Sequence, residues 1–443
     1  MTKIKRRAAV VLILVAMMIA GLGVYIYNYC TDGLMWAAFP ANDSVYTDGR
    51  LTVGVITDRE GTVLAEIEDG KRVYSESALI RKSTLHVLGD RWGNIGTGAL
   101  YLFDEKLTGF DIANGTYSKD GTGGSVALSI NAELNTVAYE ALNGRKGVVA
   151  VCDCQTGEII CHVSTPSYDP DNMPDSFDTP EYDGVYLNRF LSVAYTPGSI
   201  FKLITMAAAI ENIPDIEERL FLCQGSYETG GGDIVCTSWH GELTVDEALA
   251  VSCNCVFGQL AEELGADLIC EYAENYGLTE GFEINGILTE SGKYEISEQS
   301  YNVAWSGIGQ YNDLVNPAAM LRFVAAIANG GYAPELTMLK SDKNADREYI
   351  IDNSTAVLLG EMMSYNVYRT YGEDRFFGIN MHAKSGTAEV GEGLEPHSWF
   401  VGYGEKNDKT FAFVVLIENG GSGSWNAGNV ASVVMDKAFE LCG

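Results

Sequence analysis

The sequence is poor in basic residues, and this shortage excludes one broad class of function. It has 29 Lys and Arg against 60 Asp and Glu, so the formal net charge is −31. Nucleic-acid binding needs basic patches that follow the phosphate backbone, so we expect no nucleic-acid partner. Internal repeats and low-complexity segments are also absent. With 47% hydrophobic and 20% charged residues over 443 positions, the chain is globular and long enough for two or three domains.

Charge-free hydrophobic runs of membrane-spanning length are missing everywhere except near the N-terminus. Residues 8–27, AAVVLILVAMMIAGLGVYIY, carry no charge and would cover about 30 Å as a helix. The preceding MTKIKRR is basic with no acidic residue, which predicts a cytoplasmic N-terminus. A cleaved signal peptide is the alternative, but the run is long and no small-x-small site follows it. We therefore predict a cytoplasmic tail at 1–7, an uncleaved single-pass anchor at 8–28, and all later residues outside the cytoplasm.

The ten cysteines show no CxxC spacing, the commonest sign of a zinc site. In an exported chain disulfides are the usual expectation, yet Cys152 with Cys154 and Cys253 with Cys255 form CxC pairs, which do not easily bridge internally. Cys223, Cys236 and the nearby His240 leave both a disulfide and a metal site open; the zinc interpretation is the weaker one. We expect most of the cysteines to be small buried residues, and we predict no metal and no cofactor.

The pattern of short elements divides the rest of the chain. Residues 51–74 alternate apolar and polar residues between turn signals, which predicts a meander of strands. A helix is expected over 132–142, ended by Asn143-Gly144. KGVVAVCDCQTGEIICHVS then predicts a β-hairpin that turns at 155–157. Beyond it, strands at both ends of the remaining sequence enclose a largely helical middle.

The stretch TPGSIFK, residues 196–202, carries the first chemical signal. Pro197-Gly198 makes a turn, and the helix-forming sequence that follows predicts that Ser199 opens a helix. Lys202 at i+3 then lies on the same face as Ser199. A serine becomes a nucleophile when a base takes its proton, and a lysine serves if its environment keeps it neutral. An ordinary N-cap serine beside a solvated lysine is the alternative.

Two later motifs favour the catalytic interpretation. SCN, residues 252–254, follows a helical run, and KSGTAE, residues 384–389, lies between β-like runs. The order SxxK, SxN, KSG is the signature of penicillin-recognising serine enzymes.

The chain resembles the class B penicillin-binding proteins, the monofunctional peptidoglycan D,D-transpeptidases. Besides the three motifs, the resemblance rests on the anchor and on four stretches: GVITDREGTVLA, SINAELNTVAYEAL, GVVAVCDCQTGEIICHVSTPSYDP and GIGQYNDLVNPAAMLRFVAAIANGG. It implies an α+β (α/β) penicillin-binding-protein/β-lactamase-like domain at 145–443, an antiparallel sheet with flanking helices. A small β-rich domain at 29–144, the pedestal, would precede it, although it is short for the class. Ile200 replaces the threonine frequent in the family.

The resemblance also implies a catalytic role for five residues. Ser199 would attack the peptide bond between the two terminal D-alanines of a stem peptide and form an acyl-enzyme. Lys202 would accept its proton, and Lys384 would keep Lys202 neutral by repulsion and attract the terminal carboxylate. Ser252 would relay the proton to the departing D-alanine, and Asn254 would hold both the peptide amide and Lys202.

Three further residues would bind substrate. The hydroxyls of Ser385 and Thr387 would bind the carboxylate, and Gly386 would leave room for the peptide to add to the strand. The backbone N–H groups of Ser199 and Thr387 would form the oxyanion hole. The expected ligands are peptidoglycan stem peptides and β-lactams, bound at the bacterial cell membrane, and a membrane glycosyltransferase is the expected partner.

Two rival functions use similar motifs. A class A β-lactamase carries a deacylating glutamate in an ExxxN loop, but Glu290, the nearest candidate, is not followed by the required asparagine. A β-lactam sensor would have several membrane helices and a cytoplasmic effector. A D,D-carboxypeptidase, in which water is the acceptor, stays open as an alternative.

Overall fold

The computed structural model describes residues 2–37, 45–47, 50–109, 117, 123–297, 299–341 and 343–443. The first helix, Thr2–Ala37, includes a candidate membrane span at Lys3–Tyr27 with a mean hydropathy of 2.7. In the described part of the chain this is the single helix that is long and apolar enough to cross a membrane. It begins before the predicted anchor at 8–28 and continues beyond it.

The chain divides into two compact units. The smaller unit contains 1–55, 65–73 and 103–126, and the larger contains 56–64, 74–102 and 127–443. The predicted boundary between a pedestal at 29–144 and a catalytic domain at 145–443 stays a prediction. Parts of that pedestal, namely 38–44, 48–49, 110–116 and 118–122, lie outside the described residues.

The predicted meander over 51–74 is confirmed. Asp69 and Gly70 join two of its strands with φ of 50° and 71°, the left-handed pair that a tight hairpin turn requires. The strands up to residue 127 are Tyr46–Thr47, Arg50–Leu51, Val55–Thr57, Val63–Glu68, Lys71–Tyr74 and Ser125–Ala127. The short helices of this region are Ala78–Ser83, Leu85–Leu88, Ala99–Leu102 and Asp104–Thr108.

A five-stranded antiparallel sheet organises the larger unit. Its order is Asn380–Ala388, His397–Lys406, Lys409–Ile417, Gly147–Asp153 and Ile159–Thr165. The last two strands are the predicted hairpin, which is confirmed. The strand that carries the KSG motif, Asn380–Ala388, therefore lies at an edge of the sheet.

Apart from the edge strand Asn380–Ala388, the strands of this sheet are buried on both faces and are rich in apolar residues. Val148 and Val414 point into a large core shared with the central helices, whereas Val149 and Phe413 point into a second core. The second core is covered by the helices Ala132–Leu142 and Gly428–Leu441. The first of these is the predicted helix: Asn131 caps it, and Asn143 ends it with a φ of 49°.

The middle of the larger unit is helical, as predicted, with small hairpins inserted. Its α-helices are Lys202–Asn212, Val245–Ala250, Asn254–Leu264, Ala266–Asn275, Ser300–Ser306, Pro317–Ala328 and Asn353–Asn366. Its small strands are Phe221–Cys223, Ser226–Thr229, Gly232–Val235, Gly241–Leu243, Glu283–Ile284, Ile287–Leu288, Tyr332–Pro334 and Arg347–Tyr349. Strands at both ends therefore enclose helices, as the sequence indicates.

Candidate active site

Ser199 lies in a tight turn at the start of a buried helix. Gly198–Ile200 forms a single 3₁₀ turn, and the α-helix Lys202–Asn212 follows. Gly198 has a φ of 57°, and a Cβ there would lie 2.9 Å from the carbonyl oxygen of Thr387. Both facts require glycine. The turn is therefore pressed against the KSG strand, which brings Ser199 and Thr387 close together.

Lys202 is fully buried, and its amine is held by the SCN motif. Nζ donates hydrogen bonds to the carbonyl oxygen of Ser252 at 2.7 Å, to Ser252 Oγ at 3.2 Å and to Asn254 Oδ1 at 2.7 Å. It also lies 5.4 Å from the ring centre of Phe257. Three acceptors fix the amine in one position, so the lysine of SxxK is an ordered interior group rather than a solvated one.

Lys384 approaches the same serine from the other side. Its amine, also fully buried, donates to Ser252 Oγ at 3.1 Å and to the carbonyl oxygen of Ser385 at 2.8 Å. Ser252 adopts a φ of 55°, an uncommon conformation for a residue with a side chain. Backbone strain of this kind persists where surrounding contacts hold it. The hydrogen bonds from the amines of Lys202 and Lys384 to Ser252 Oγ are such contacts.

Burial and charge lower the pKa of both lysines. The pKa of Lys202 falls to about 8, mainly because burial penalises the ammonium form, against the opposing effect of nearby cysteines. The pKa of Lys384 is lowered well below its usual range by burial and by the positive charge of Lys202. The site therefore resists holding two protonated amines at once.

Asn254 joins the site to a neighbouring loop. Its side-chain Nδ2 donates to the carbonyl oxygen of Val235 at 3.0 Å, and its backbone N–H donates to Cys236 Sγ at 3.3 Å. The sequence predicts that Asn254 holds Lys202 and a peptide amide. The hydrogen bond between Asn254 and Lys202 is present. The side-chain nitrogen of Asn254 already has a partner inside the protein, the Val235 carbonyl oxygen.

Gly386 is required by packing against the Ser199 turn. A Cβ there would lie 2.8 Å from the Pro197 carbonyl oxygen and 3.0 Å from the side chain of Ile200. The family resemblance implies that this glycine makes room for substrate, and the structure supplies a different reason. Trp399, on the next strand, is fully buried and donates from Nε1 to the Thr196 carbonyl oxygen at 3.0 Å. The strand and the turn are thus fixed to each other.

Tyr371 is a site residue that the sequence does not reveal. Its hydroxyl donates to Ser385 Oγ at 3.0 Å and accepts the Ser385 backbone N–H at 2.9 Å. It ends a π-helical turn, Val367–Tyr371, a distortion frequent at functional sites. Thr387 Oγ1, on the exposed side, accepts the Gly423 N–H at 3.2 Å. Tyr371 and Ser385 are 14 positions apart in the sequence, and no periodicity would reveal this pair.

The structure thus brings together all eight residues that the sequence singles out. Lys202, Ser252, Asn254 and Lys384 are joined by direct hydrogen bonds. Residues 385–387 continue the strand from Lys384, and Gly198 packs against that strand beside Ser199. A nucleophile, a buried amine, a bridging hydroxyl and a second amine form the parts of a serine acyl-transfer site.

Comparison with known proteins identifies the family. The model of the penicillin binding protein transpeptidase domain matches residues 147–436. The chain belongs to this family. Peptidoglycan D,D-transpeptidase PbpA of Mycolicibacterium smegmatis is 27% identical, over 95% of this chain and 94% of that protein.

Solved structures agree with this assignment. The D,D-transpeptidase domain of a peptidoglycan glycosyltransferase from Eggerthella lenta is 26% identical, with a TM-score of 0.75 over 88% of this chain and 99% of that one. Penicillin-binding protein A from M. tuberculosis, in its penicillin G acyl-enzyme complex, is 24% identical and has the same fold, with a TM-score of 0.74 over 88% and 99%.

Family membership confirms two predictions. The fold is the penicillin-binding-protein transpeptidase fold, an antiparallel sheet with helices on both faces. The chain is an enzyme of the transpeptidase class. The roles of its individual residues stay predictions.

Proposed function

We propose that this transpeptidase cross-links peptidoglycan stem peptides through an acyl-enzyme at Ser199, releasing the terminal D-alanine, and that β-lactams acylate the same serine. The observation that carries the proposal is the buried amine of Lys202, which lies one helical turn after Ser199 and is held by Ser252 and Asn254. It supplies a base inside the site without an external group.

Acylation needs a neutral Lys202. As the bond forms between Ser199 Oγ and the carbonyl carbon, the hydroxyl proton moves to Lys202 Nζ. Burial already lowers the pKa of this amine to about 8, so at neutral pH a minor fraction accepts protons. When the C–N bond breaks, the proton passes through Ser252 Oγ to the departing D-alanine nitrogen, and Lys202 is neutral again.

A bound substrate carboxylate would favour a neutral Lys202 and a charged Lys384. Ser252 Oγ lies between the two amines, at 3.2 Å from Lys202 and 3.1 Å from Lys384. A carboxylate beside Lys384 stabilises the ammonium form of Lys384, and a proton can pass from Lys202 to it through Ser252. Binding would then leave Lys202 neutral and Lys384 charged, the state that acylation requires.

The edge strand supplies the substrate groove. Asn380–Ala388 pairs with His397–Lys406 on one side within the described sheet, so an extended peptide can add along its other side. Ser385 and Thr387 would bind the terminal carboxylate, and the N–H groups of Ser199 and Thr387 would polarise the reacting carbonyl.

The test uses the full chain in detergent with a stem peptide ending in D-alanyl-D-alanine and a fluorescent D-amino acid as acceptor. We expect labelled peptide to form with one free D-alanine per transfer, and Ser199→Ala to form none. Release of D-alanine without label transfer would instead make the chain a D,D-carboxypeptidase.

We further propose that Thr2–Ala37 anchors the enzyme as a single-pass helix with its N-terminus in the cytoplasm and its catalytic domain outside. Lys3, Lys5, Arg6 and Arg7 precede the apolar run, and Cys30 follows it. In intact spheroplasts a membrane-impermeant maleimide should label Cys30 and should miss a cysteine placed at Thr2. The opposite pattern would reverse the orientation.

A membrane glycosyltransferase partner is part of the same proposal and rests on the family resemblance. It would contact the anchor and the segment 29–144. A photo-crosslinker next to Cys30 should capture a polytopic membrane protein, whereas one on the exposed side chain of Val433 should not.

A further inference from the structure

Four metal-ligating side chains meet directly behind the SCN motif. Cys223, Cys236, His240 and Cys253 place one ligand atom each within 4.8 Å of all the others. The three thiols are buried and the imidazole is half-buried. No part of the mechanism proposed above uses these four groups.

Local structure explains how distant residues converge. Cys223 ends the strand Phe221–Cys223, which pairs with Gly241–Leu243, so His240 emerges beside it. Cys236 directly follows the hairpin strand Gly232–Val235. Cys253 is the middle residue of SCN and the N-cap of the helix Asn254–Leu264. The four residues include no CxxC spacing, so the sequence alone gives little indication of a metal site.

The distances match the edges of a tetrahedron around zinc. Zn–S bonds of about 2.3 Å and Zn–N bonds of about 2.0–2.1 Å give S···S edges of ~3.8 Å and S···N edges of ~3.5 Å. Here Cys236 Sγ lies 3.7 Å from Cys253 Sγ, and His240 Nδ1 lies 3.5 Å from the sulfurs of both Cys223 and Cys236.

The groups around the ligands are also those of a zinc site. His240 Nε2, the ring nitrogen that is not directed at the thiols, lies 3.0 Å from Ser238 Oγ, and such contacts orient ligating histidines. The Asn254 backbone N–H donates to Cys236 Sγ at 3.3 Å, a contact that stabilises a thiolate. A disulfide would use two of the thiols and leave this histidine without a role.

We propose that Cys223, Cys236, Cys253 and His240 bind one Zn²⁺, and that this site holds the Ser252-Cys253-Asn254 loop in its active conformation. Three thiolates and one imidazole are a closed tetrahedral ligand set, so the ion is structural and does not contact substrate. The thiols lose their protons on binding, and no redox step is involved.

The link to the active site is direct. Cys253 lies between Ser252 and Asn254 in the chain. On the side of the proposed zinc site, Asn254 donates hydrogen bonds to the Val235 carbonyl oxygen and to Cys236 Sγ. A zinc ion that joins Cys253 to Cys223, Cys236 and His240 would therefore fix the position of Asn254 Oδ1, which accepts a hydrogen bond from Lys202. It also helps to hold Ser252 at its positive φ.

The first test measures metal content of the full chain, purified in detergent under reducing conditions with a tag that lacks histidine. Elemental analysis should find about one zinc per chain in the unaltered protein and in the control Cys270→Ser, whose thiol lies outside the cluster. Cys223→Ser and His240→Ala should lose the zinc. His240→Cys should keep it, because it retains four zinc ligands.

The second test asks whether zinc holds the loop. Chelation should lower the Tm and slow acylation by penicillin about tenfold or more, and added Zn²⁺ should restore both. The zinc content and the Tm do not depend on whether Ser199 is the nucleophile. If Ser199 is not acylated, these two measurements therefore still test the zinc site. Each of three results would overturn the proposal: metal-free protein with free thiols, a mass about 2 Da low that reductant corrects, or zinc that persists in both ligand variants.

Discussion

The amines of Lys202 and Lys384 donate hydrogen bonds to the same hydroxyl, Ser252 Oγ, at 3.2 and 3.1 Å. Both lysines are fully buried, and burial lowers the pKa of each. One serine thus connects the proposed base to the proposed carboxylate site, and it offers a path for a proton between them.

Removing Lys202 and removing Lys384 should impair the reaction with penicillin in different ways. Lys202→Ala should slow acylation by penicillin about 10²–10⁴-fold with little change in initial binding, because it removes a proton acceptor from the transition state. Lys384→Ala should weaken binding and slow acylation, because it also removes the partner of the carboxylate. Stopped-flow acylation gives both constants, and an identical pattern in the two variants would refute the separate roles.

Acylation should depend on pH in one direction. The pKa of Lys202 is lowered to about 8 by burial, and the neutral amine is the form that accepts a proton. The neutral fraction rises about tenfold per pH unit well below that value, so the acylation rate should rise likewise and level off above it. Zinc content is checked at each pH as a control. A rate that stays flat from about pH 6 to pH 9 would mean that no neutral lysine is needed.

Tyr371→Phe should impair the carboxylate site. The change removes the hydroxyl that bonds both Ser385 Oγ and the Ser385 N–H, and an unpaired buried donor costs about 1–3 kcal/mol. We expect a lower Tm and weaker initial binding of penicillin. Tyr368→Phe, on the same turn but exposed, is the matched control and should change neither. Unchanged binding in Tyr371→Phe would remove Tyr371 from the site.

The parts of the site that the sequence predicts are those set by local geometry or by the order of motifs. The i, i+3 spacing of Ser199 and Lys202 follows from one helical turn, and the structure adds that Ser199 lies in a 3₁₀ turn before the α-helix. The family resemblance predicts the convergence of Ser252 and Lys384. Periodicity and turn residues predict the hairpin and the 132–142 helix.

The missed features depend on contacts between distant segments. Tyr371 reaches Ser385 through a π-helical turn that no spacing rule indicates. Position 386 requires glycine because the Pro197 backbone approaches the edge strand there. Cys223, Cys236 and Cys253 meet because two small hairpins fold onto the SCN loop, and sequence separation alone hides this.

The penicillin adduct should be long-lived. Glu290, the candidate nearest the position of a deacylating glutamate, lacks the asparagine of an ExxxN run, so the adduct should last many minutes, against about a second or less for a β-lactamase at ordinary turnover rates. After removal of free penicillin, the mass of the protein is followed with time. Rapid return to the unmodified mass, with hydrolysed penicillin accumulating, would make the chain a β-lactamase.

The residue that carries the penicillin adduct decides whether Ser199 is the nucleophile. The full chain is treated with labelled penicillin, and the intact mass and a peptide map are recorded beside those of Ser199→Ala and Ser252→Ala. We predict one label per chain, on the peptide that contains Ser199. Ser199→Ala should take none at an unchanged Tm, whereas Ser252→Ala should still be labelled at Ser199, only more slowly. A label on any other residue, or labelling that survives Ser199→Ala, would show that Ser199 is not the nucleophile.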